Sequence, residues 1–139
     1  MIPVTNFSHV CIGVTDMDRS LTWYQEHLGF DVLFDVELSG PSMETLTGDR
    51  GAAGRMVGGV AAGVVVELLC FSHEPRTGYT NTSFRVEDLD AAHASAPEPK
   101  EIVDVGGVRM FFVEDPDGTP IEIIEFPRGA TTSETLWKG

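Results

Sequence analysis

The sequence predicts an α+β fold assembled from two copies of one unit, each running strand, helix and then three strands. Three observations carry this. The run Phe7-Ser8-His9-Val10-Cys11-Ile12-Gly13-Val14-Thr15-Asp16-Met17-Asp18 aligns without a gap on Tyr79-Thr80-Asn81-Thr82-Ser83-Phe84-Arg85-Val86-Glu87-Asp88-Leu89-Asp90. The run Val66-Glu67-Leu68-Leu69-Cys70-Phe71 aligns, again without a gap, on Ile121-Glu122-Ile123-Ile124-Glu125-Phe126. Between these anchors the apolar spacing passes from strand-like to helical and back. The first copy runs from Phe7 to Phe71 and the second only from Tyr79 to Phe126, so the second needs a shorter helix and tighter loops.

In the first copy, residues 5–14 read as a strand, and Asp16 or Asp18 can cap the helix that follows. Leu21, Tyr24 and Leu28 share one helical face, and Gly29 stops the helix. Phe30, Val32, Phe34, Val36 and Leu38 then alternate with mainly acidic positions, the pattern of a half-buried strand. Residues 39–51 read as a loop, with strands at 52–57 and 63–71. Module one therefore covers about 5–71, a linker with Pro75 and Gly78 covers 72–78, and module two covers about 79–126. Within module two the strands are expected at 79–86, 101–105, 108–114 and 119–126, with a short helix near 89–94. Asp115-Pro116-Asp117-Gly118 is a strong turn signal between the last two strands, and 127–139 is expected to be a polar tail.

Composition bounds the partners. The 139 residues suit a single domain, and 42% apolar content is enough for a real core. Twenty-two acidic against nine basic residues give a formal charge of −13, which excludes nucleic acid and an anionic membrane surface as partners. No apolar run approaches the roughly 18–20 residues of a membrane span, and the first residues lack a basic, then apolar, leader. Cys11 and Cys70 sit in apolar runs without a CxxC, as expected of buried free thiols in a reducing cytoplasm.

Alternation along a strand puts His9, Cys11 and Gly13 on one face, and Asn81, Ser83 and Arg85 on the equivalent face of the second copy. Glu67 lies inside Val64-Val65-Val66 and Leu68-Leu69, and Glu122 lies between Ile121 and Ile123-Ile124. Burying a carboxylate in such a run is costly unless it is paired or metal-bound, and here the oddity recurs at matched places. Two like units packed side by side would bring His9, Glu67, Asn81 and Glu122 into one concavity.

These motifs resemble the vicinal oxygen chelate superfamily of glyoxalase I, methylmalonyl-CoA epimerase, extradiol dioxygenases, fosfomycin-resistance transferases and bleomycin-binding proteins. The residues that carry the resemblance are His9-Val10-Cys11-Ile12-Gly13-Val14, Asp18-Arg19-Ser20-Leu21-Thr22-Trp23-Tyr24, Leu28-Gly29-Phe30, Phe84-Arg85-Val86-Glu87-Asp88-Leu89-Asp90 and Phe112-Val113-Glu114-Asp115-Pro116-Asp117-Gly118-Thr119-Pro120-Ile121-Glu122. The resemblance covers about residues 5–126. It implies two βαβββ modules forming a U-shaped, barrel-like mixed sheet with the helices outside, and a homodimer. It also implies a divalent metal on His9, Glu67 and Glu122, with Glu67 or Glu122 moving protons as the catalytic base. Asn81 stands where the pattern most often has His, and three roles stay open for it: binding the metal, binding a water, or holding substrate. Arg85, Cys11 and Ser83 join Asn81 as candidate substrate contacts.

One histidine with two carboxylates suits Fe, Mn, Co, Ni, Mg or Zn, and does not choose among them. The implied activity is that of a lyase or isomerase working through an enolate of a small molecule with adjacent oxygens, with oxygenase or tailoring chemistry next. The alternative is a metal-free protein that sequesters a drug-like natural product, as bleomycin-resistance proteins do. Each residue also has a plainer reading. A lone strand histidine is more often a satisfied core residue, Glu67 and Glu122 can share a proton without metal, and Arg85 can simply pair with a nearby acid. Phe30, Phe34, Trp23 and Tyr24 are more often core than ligand contacts, and His27, His73 and His93 have no partner in the repeat.

Overall fold

In the computed structural model, residues 1–72, 78–114, 116 and 118–127 are described. The 73–77 stretch of the linker with His73, Asp115 and Asp117 of the expected turn, and the tail beyond Pro127 lie outside them. The elements run β1 (Val4–Gly13), α1 (Met17–Leu28), β2 (Asp31–Leu38), α2 (Pro41–Thr47), β3 (Gly54–Ala61), β4 (Val64–Phe71), β5 (Gly78–Val86), α3 (Leu89–Ser95), β6 (Val103–Val105), β7 (Val108–Glu114) and β8 (Pro120–Glu125). These eight strands join one curled half-barrel sheet in the order β2-β3-β4-β1-β5-β8-β7-β6. Read outward from its centre, each half has the same order: first strand, fourth, third, second.

The register obeys the repeat residue by residue. Cys11 pairs with Glu67 across the parallel β1–β4 ladder, and its equivalent Ser83 pairs with Glu122 across the parallel β5–β8 ladder. The halves meet through antiparallel β1 and β5, where His9 lies opposite Ser83 and Cys11 opposite Asn81. Val10 faces Thr82, its own counterpart in the repeat, so a local twofold axis passes between these two residues.

Each face of the sheet has a distinct core. On the convex face, Val14, Met17, Phe30, Val57, Val66 and Leu68 pack under α1, and Val86, Leu89, Ala92, Phe111, Val113 and Ile123 under α3. Asp16 caps α1 by accepting the Arg19 amide at 3.0 Å, and Gly29 ends it in the left-handed region at φ 63°. The buried stripe of α1 is Met17, Leu21 and Tyr24. Leu28 leaves the expected face and is 50% exposed, because the chain already turns away at Gly29.

Three further expectations are corrected. Residues 39–51 are not all loop: Pro41, with its φ fixed for the first turn, opens the short helix α2. The helix persists because Met43 packs with Cys11, Leu69 and Phe71 of the first half while Leu46 reaches Val103, Val108 and Met110 of the second. Strand β3 lies at Gly54–Ala61, displaced from 52–57, because Gly58 and Gly59 sit within it and accept aromatic rings over their missing side chains. Along β2 the alternation is broken by a register shift between Val32 and Phe34. Val32 pairs with Gly59 and Phe34 with Gly58, so Phe30 serves the convex core while Phe34 moves to the concave face.

Candidate functional site

The concave face collects the polar residues that the central strands bury. His9, Ser83, Asn81, Glu122 and Glu67 are each at most 9% exposed, and all five come from strands β1, β4, β5 and β8. Their row is set by the register described above: Glu67 stands beside Cys11, and Glu122 beside Ser83.

His9 is the hub. Its Nε2 lies 3.0 Å from Glu67 Oε2 and 3.5 Å from Glu122 Oε1. Neither contact has the direction of an ordinary hydrogen bond, so this buried nitrogen has no hydrogen-bond partner among the described residues. The other ring nitrogen, Nδ1, is held by Ser8 Oγ at 2.9 Å, which fixes the orientation of the imidazole. Ser83 Oγ donates to Glu122 Oε1 at 2.9 Å.

The electrostatics follow from burial and crowding. Desolvation alone would lower the His9 pKa, but the charges of Glu67 and Glu122 together outweigh it and raise it to about 9. Burial raises the Glu122 pKa, the Glu67 charge adds to this, and His9 and the Ser83 hydroxyl oppose it. Burial, then the two glutamates, push the Cys11 thiol up, leaving it a neutral thiol rather than a nucleophile.

Donors that share a cation at about 2.0–2.2 Å stand roughly 3–3.5 Å from one another, with lone pairs aimed at a common point rather than at each other. The two His9–carboxylate separations fall in this range. The three residues therefore suit a divalent cation in donor type, with His9 at a compatible distance from each carboxylate. Among the described residues, however, no group of three such side chains already stands spread around a vacancy. His9 is ion-paired to Glu67, so a cation would enter by displacing that contact and the proton it keeps. Asn81 Nδ2 is also buried without an acceptor among the described residues. Rotating its amide would put an oxygen in that place.

The remaining sequence candidates are placed as follows. Cys11 and Ser83 lie on the concave row, and Arg85 lies two residues beyond Ser83 on the same face, opposite Ile124. His27 lies tilted against Trp23 at the exposed surface, and His93 meets Phe111 edge-on with its Nε2 at the Lys100 carbonyl. Three contributors were not visible in the sequence pattern. Ser8 orients His9, Gly58 lies opposite Glu67 with the Phe34 ring over it, and Phe112 lies opposite Glu122 on β7. Each glutamate thus has an aromatic residue associated with the next strand outward, a relation that only the register reveals. Away from this row, an open hollow lined by Pro97, Glu98, Lys100 and Glu114 follows α3 and holds no comparable chemistry.

Fold and site together define the class: the chain belongs to the Glyoxalase/Bleomycin resistance protein/Dioxygenase superfamily, whose profile matches residues 6–123. Among individual proteins it is 27% identical over 138 residues to "Uncharacterized protein YaeR" of Escherichia coli (strain K12), covering 90% of this chain and 99% of that one. Its fold is similar to methylmalonyl-CoA epimerase from Mycobacterium tuberculosis, at TM-score 0.66 and 21% identity over 89% of each chain. It is also similar to hypothetical protein BH1468 from Bacillus halodurans C-125, at TM-score 0.68 and 18% identity, covering 90% of this chain and 96% of that one.

Proposed function

We propose that the protein is a divalent-metal-dependent enzyme that acts on a small molecule with adjacent oxygen atoms, shifting a proton at the carbon beside them. The observation that carries this is the buried His9 Nε2, unsatisfied by any hydrogen bond among the described residues, between the carboxylates of Glu67 and Glu122. His9, Glu67 and Glu122 would hold the metal, which when bound supplies Lewis acidity toward the negative charge that builds as the carbon loses its proton. Ser8 keeps the imidazole turned toward the site. Glu122 is the better proton carrier of the two acids, because burial raises its affinity for a proton and Ser83 fixes one of its oxygens. Asn81 positions substrate from the β5 side, and Phe34 and Phe112 form apolar walls that limit water at the carboxylates. The similarity to epimerases supports the proton shift over oxygen chemistry, as does a ligand set with one histidine rather than two.

A second reading, a metal-free binding protein, is favoured by one specific observation: the His9–Glu67 pair lets the cluster stand without a cation. Metal analysis separates the two. Protein purified without chelator and incubated with Mn, Fe, Co, Ni, Mg or Zn should take up about one ion per chain. Glu67→Gln and Glu122→Gln should each lose most of it. No uptake by the wild type, or unchanged uptake by both variants, overturns the metal-enzyme reading.

A further inference from the structure

The two halves of the concave row are related by the local twofold axis, and of the pairs His9/Asn81, Cys11/Ser83 and Gly13/Arg85 the last differs most in size and charge. Gly13 of β1 contributes no side chain where its counterpart on β5 is Arg85. Arg85 is half-buried on the face that carries Asn81 and Ser83, and it pairs with Ile124 of the concave core. Its Nε is buried with no hydrogen-bond partner among the described residues. The contrast with two other arginines is sharp: Arg55 is engaged by Asp18 and Asp35, and Arg109 by Asp90 and Glu125. In a chain of net charge −13, a half-buried guanidinium that no described carboxylate neutralises is unusual. Leaving this buried Nε–H unmet costs stability, and the planar fork to which it belongs matches a carboxylate.

We propose that Arg85 is the anchor for an anionic group at one end of the substrate. This rests on the metal-enzyme reading above and narrows it to a class: a carboxylate-bearing molecule whose adjacent oxygens lie at the other end. Residues two apart on a strand are separated by about 7 Å, so a spacer of two or three carbons carries a ligand from the Ser83–Glu122 pair to Arg85. Because Gly13 offers nothing at the other end of the row, the anion selects one of two otherwise related orientations. The reacting carbon is then presented to the carboxylates in a single sense. The long-range repulsion of the acidic surface does not oppose this, since it is screened beyond about 8–10 Å at physiological salt while the Arg85 contact is direct.

The test uses 2-oxoglutarate and its 5-methyl ester, which share the carbon chain and a 2-oxo acid end and differ in the distal charge. Each is titrated at constant ionic strength into metal-free full-length protein while the Arg85 Nε–H resonance, assigned by its loss in Arg85→Gln, is followed by NMR. The diacid should shift this resonance saturably, with half-saturation at least tenfold below that of the ester. The Arg55 and Arg109 resonances should stay in place. In Arg85→Gln the preference for the diacid, read by calorimetry, should fall to less than twofold, and Arg85→Lys should restore part of it. Equal responses to the two probes, no shift with either, or a preference that survives Arg85→Gln overturns the proposal. Failure of the metal-enzyme reading would appear separately, as unchanged metal uptake in Glu67→Gln and Glu122→Gln with the Arg85 response intact.

Discussion

Replacing Gly59 by Ala tests the packing that holds the outer strands against the site. A Cβ at this position would lie 2.5 Å from the backbone oxygen of Asp31 and 2.5 Å from Phe30 Cζ. Ordinary contacts of this kind begin near 3.4 Å, so close to 1 Å of movement is required from two neighbours at once. Neither yields easily. The Asp31 carbonyl belongs to the β2 backbone where it pairs with β3, and Phe30 is enclosed by Val14, Met17, Val57, Val66 and Leu68. Overpacking of this kind costs about 1–3 kcal/mol, against which the loss of glycine freedom returns about 0.5–1 kcal/mol. The net expectation is a loss of about 1–2 kcal/mol, or about 3–8 °C in Tm for a chain of this size. Gly58 supplies the control. The three atoms nearest its added Cβ would all be ring atoms of Phe34, the nearest at 2.1 Å. Shortening that ring in Gly58→Ala/Phe34→Leu should therefore recover stability relative to Gly58→Ala alone. The matching Gly59→Ala/Phe30→Leu pair should not, because the carbonyl contact remains. Denaturant melts of the wild type, the four single variants, Phe30→Leu and Phe34→Leu included, and the two double variants give the coupling energies directly. A Gly59→Ala protein as stable as the wild type, or full rescue by Phe30→Leu, would refute the reasoning.

Two further outcomes follow from the site. Ser8→Ala removes the partner of His9 Nδ1 and should weaken metal binding by about 10-fold or more, measured by competition with a chelating dye; unchanged affinity would show that the ring is oriented by other means. In metal-free protein, His9 has a folded pKa of about 9 against about 6.5 unfolded, so its stabilising charge is fully present below pH 6.5. That contribution is lost as pH rises through 9. Urea midpoints should accordingly fall between pH 7 and 10, with less of a fall in His9→Gln, and an equal fall in both proteins would count against a buried, charged imidazole.

The repeat made the centre of the fold legible. The ungapped match of Phe7–Asp18 with Tyr79–Asp90 became the β1–β5 pairing. The match of Val66–Phe71 with Ile121–Phe126 became two parallel ladders in which each glutamate has the equivalent neighbour. That is why His9, Glu67, Asn81 and Glu122 could be assigned to one concavity before any coordinates. What escaped the sequence depends on distant partners. Helix α2 is only two turns long and has little intrinsic stability; its reason to exist is Leu46 against Val103, Val108 and Met110, far along the chain. The register shift in β2 divides Phe30 from Phe34, which local alternation cannot announce. Ser8, adjacent to His9 in sequence, carries no signal because alternation assigns neighbours to opposite faces, and a register shift between Phe7 and His9 on β1 breaks that rule. Gly58 and Phe112 became part of the site only once β3 and β7 were aligned with the glutamates.

Helix α2 has a consequence for how the molecule comes apart. It is encoded in the first half, yet it lies between Met43's contacts with that half and Leu46's contacts with the second. An excised first half would therefore present a bare apolar ridge, and an excised second half would present the Val103–Val108–Met110 surface that receives it. Each repeat alone is therefore expected to be less stable than it is within the whole chain.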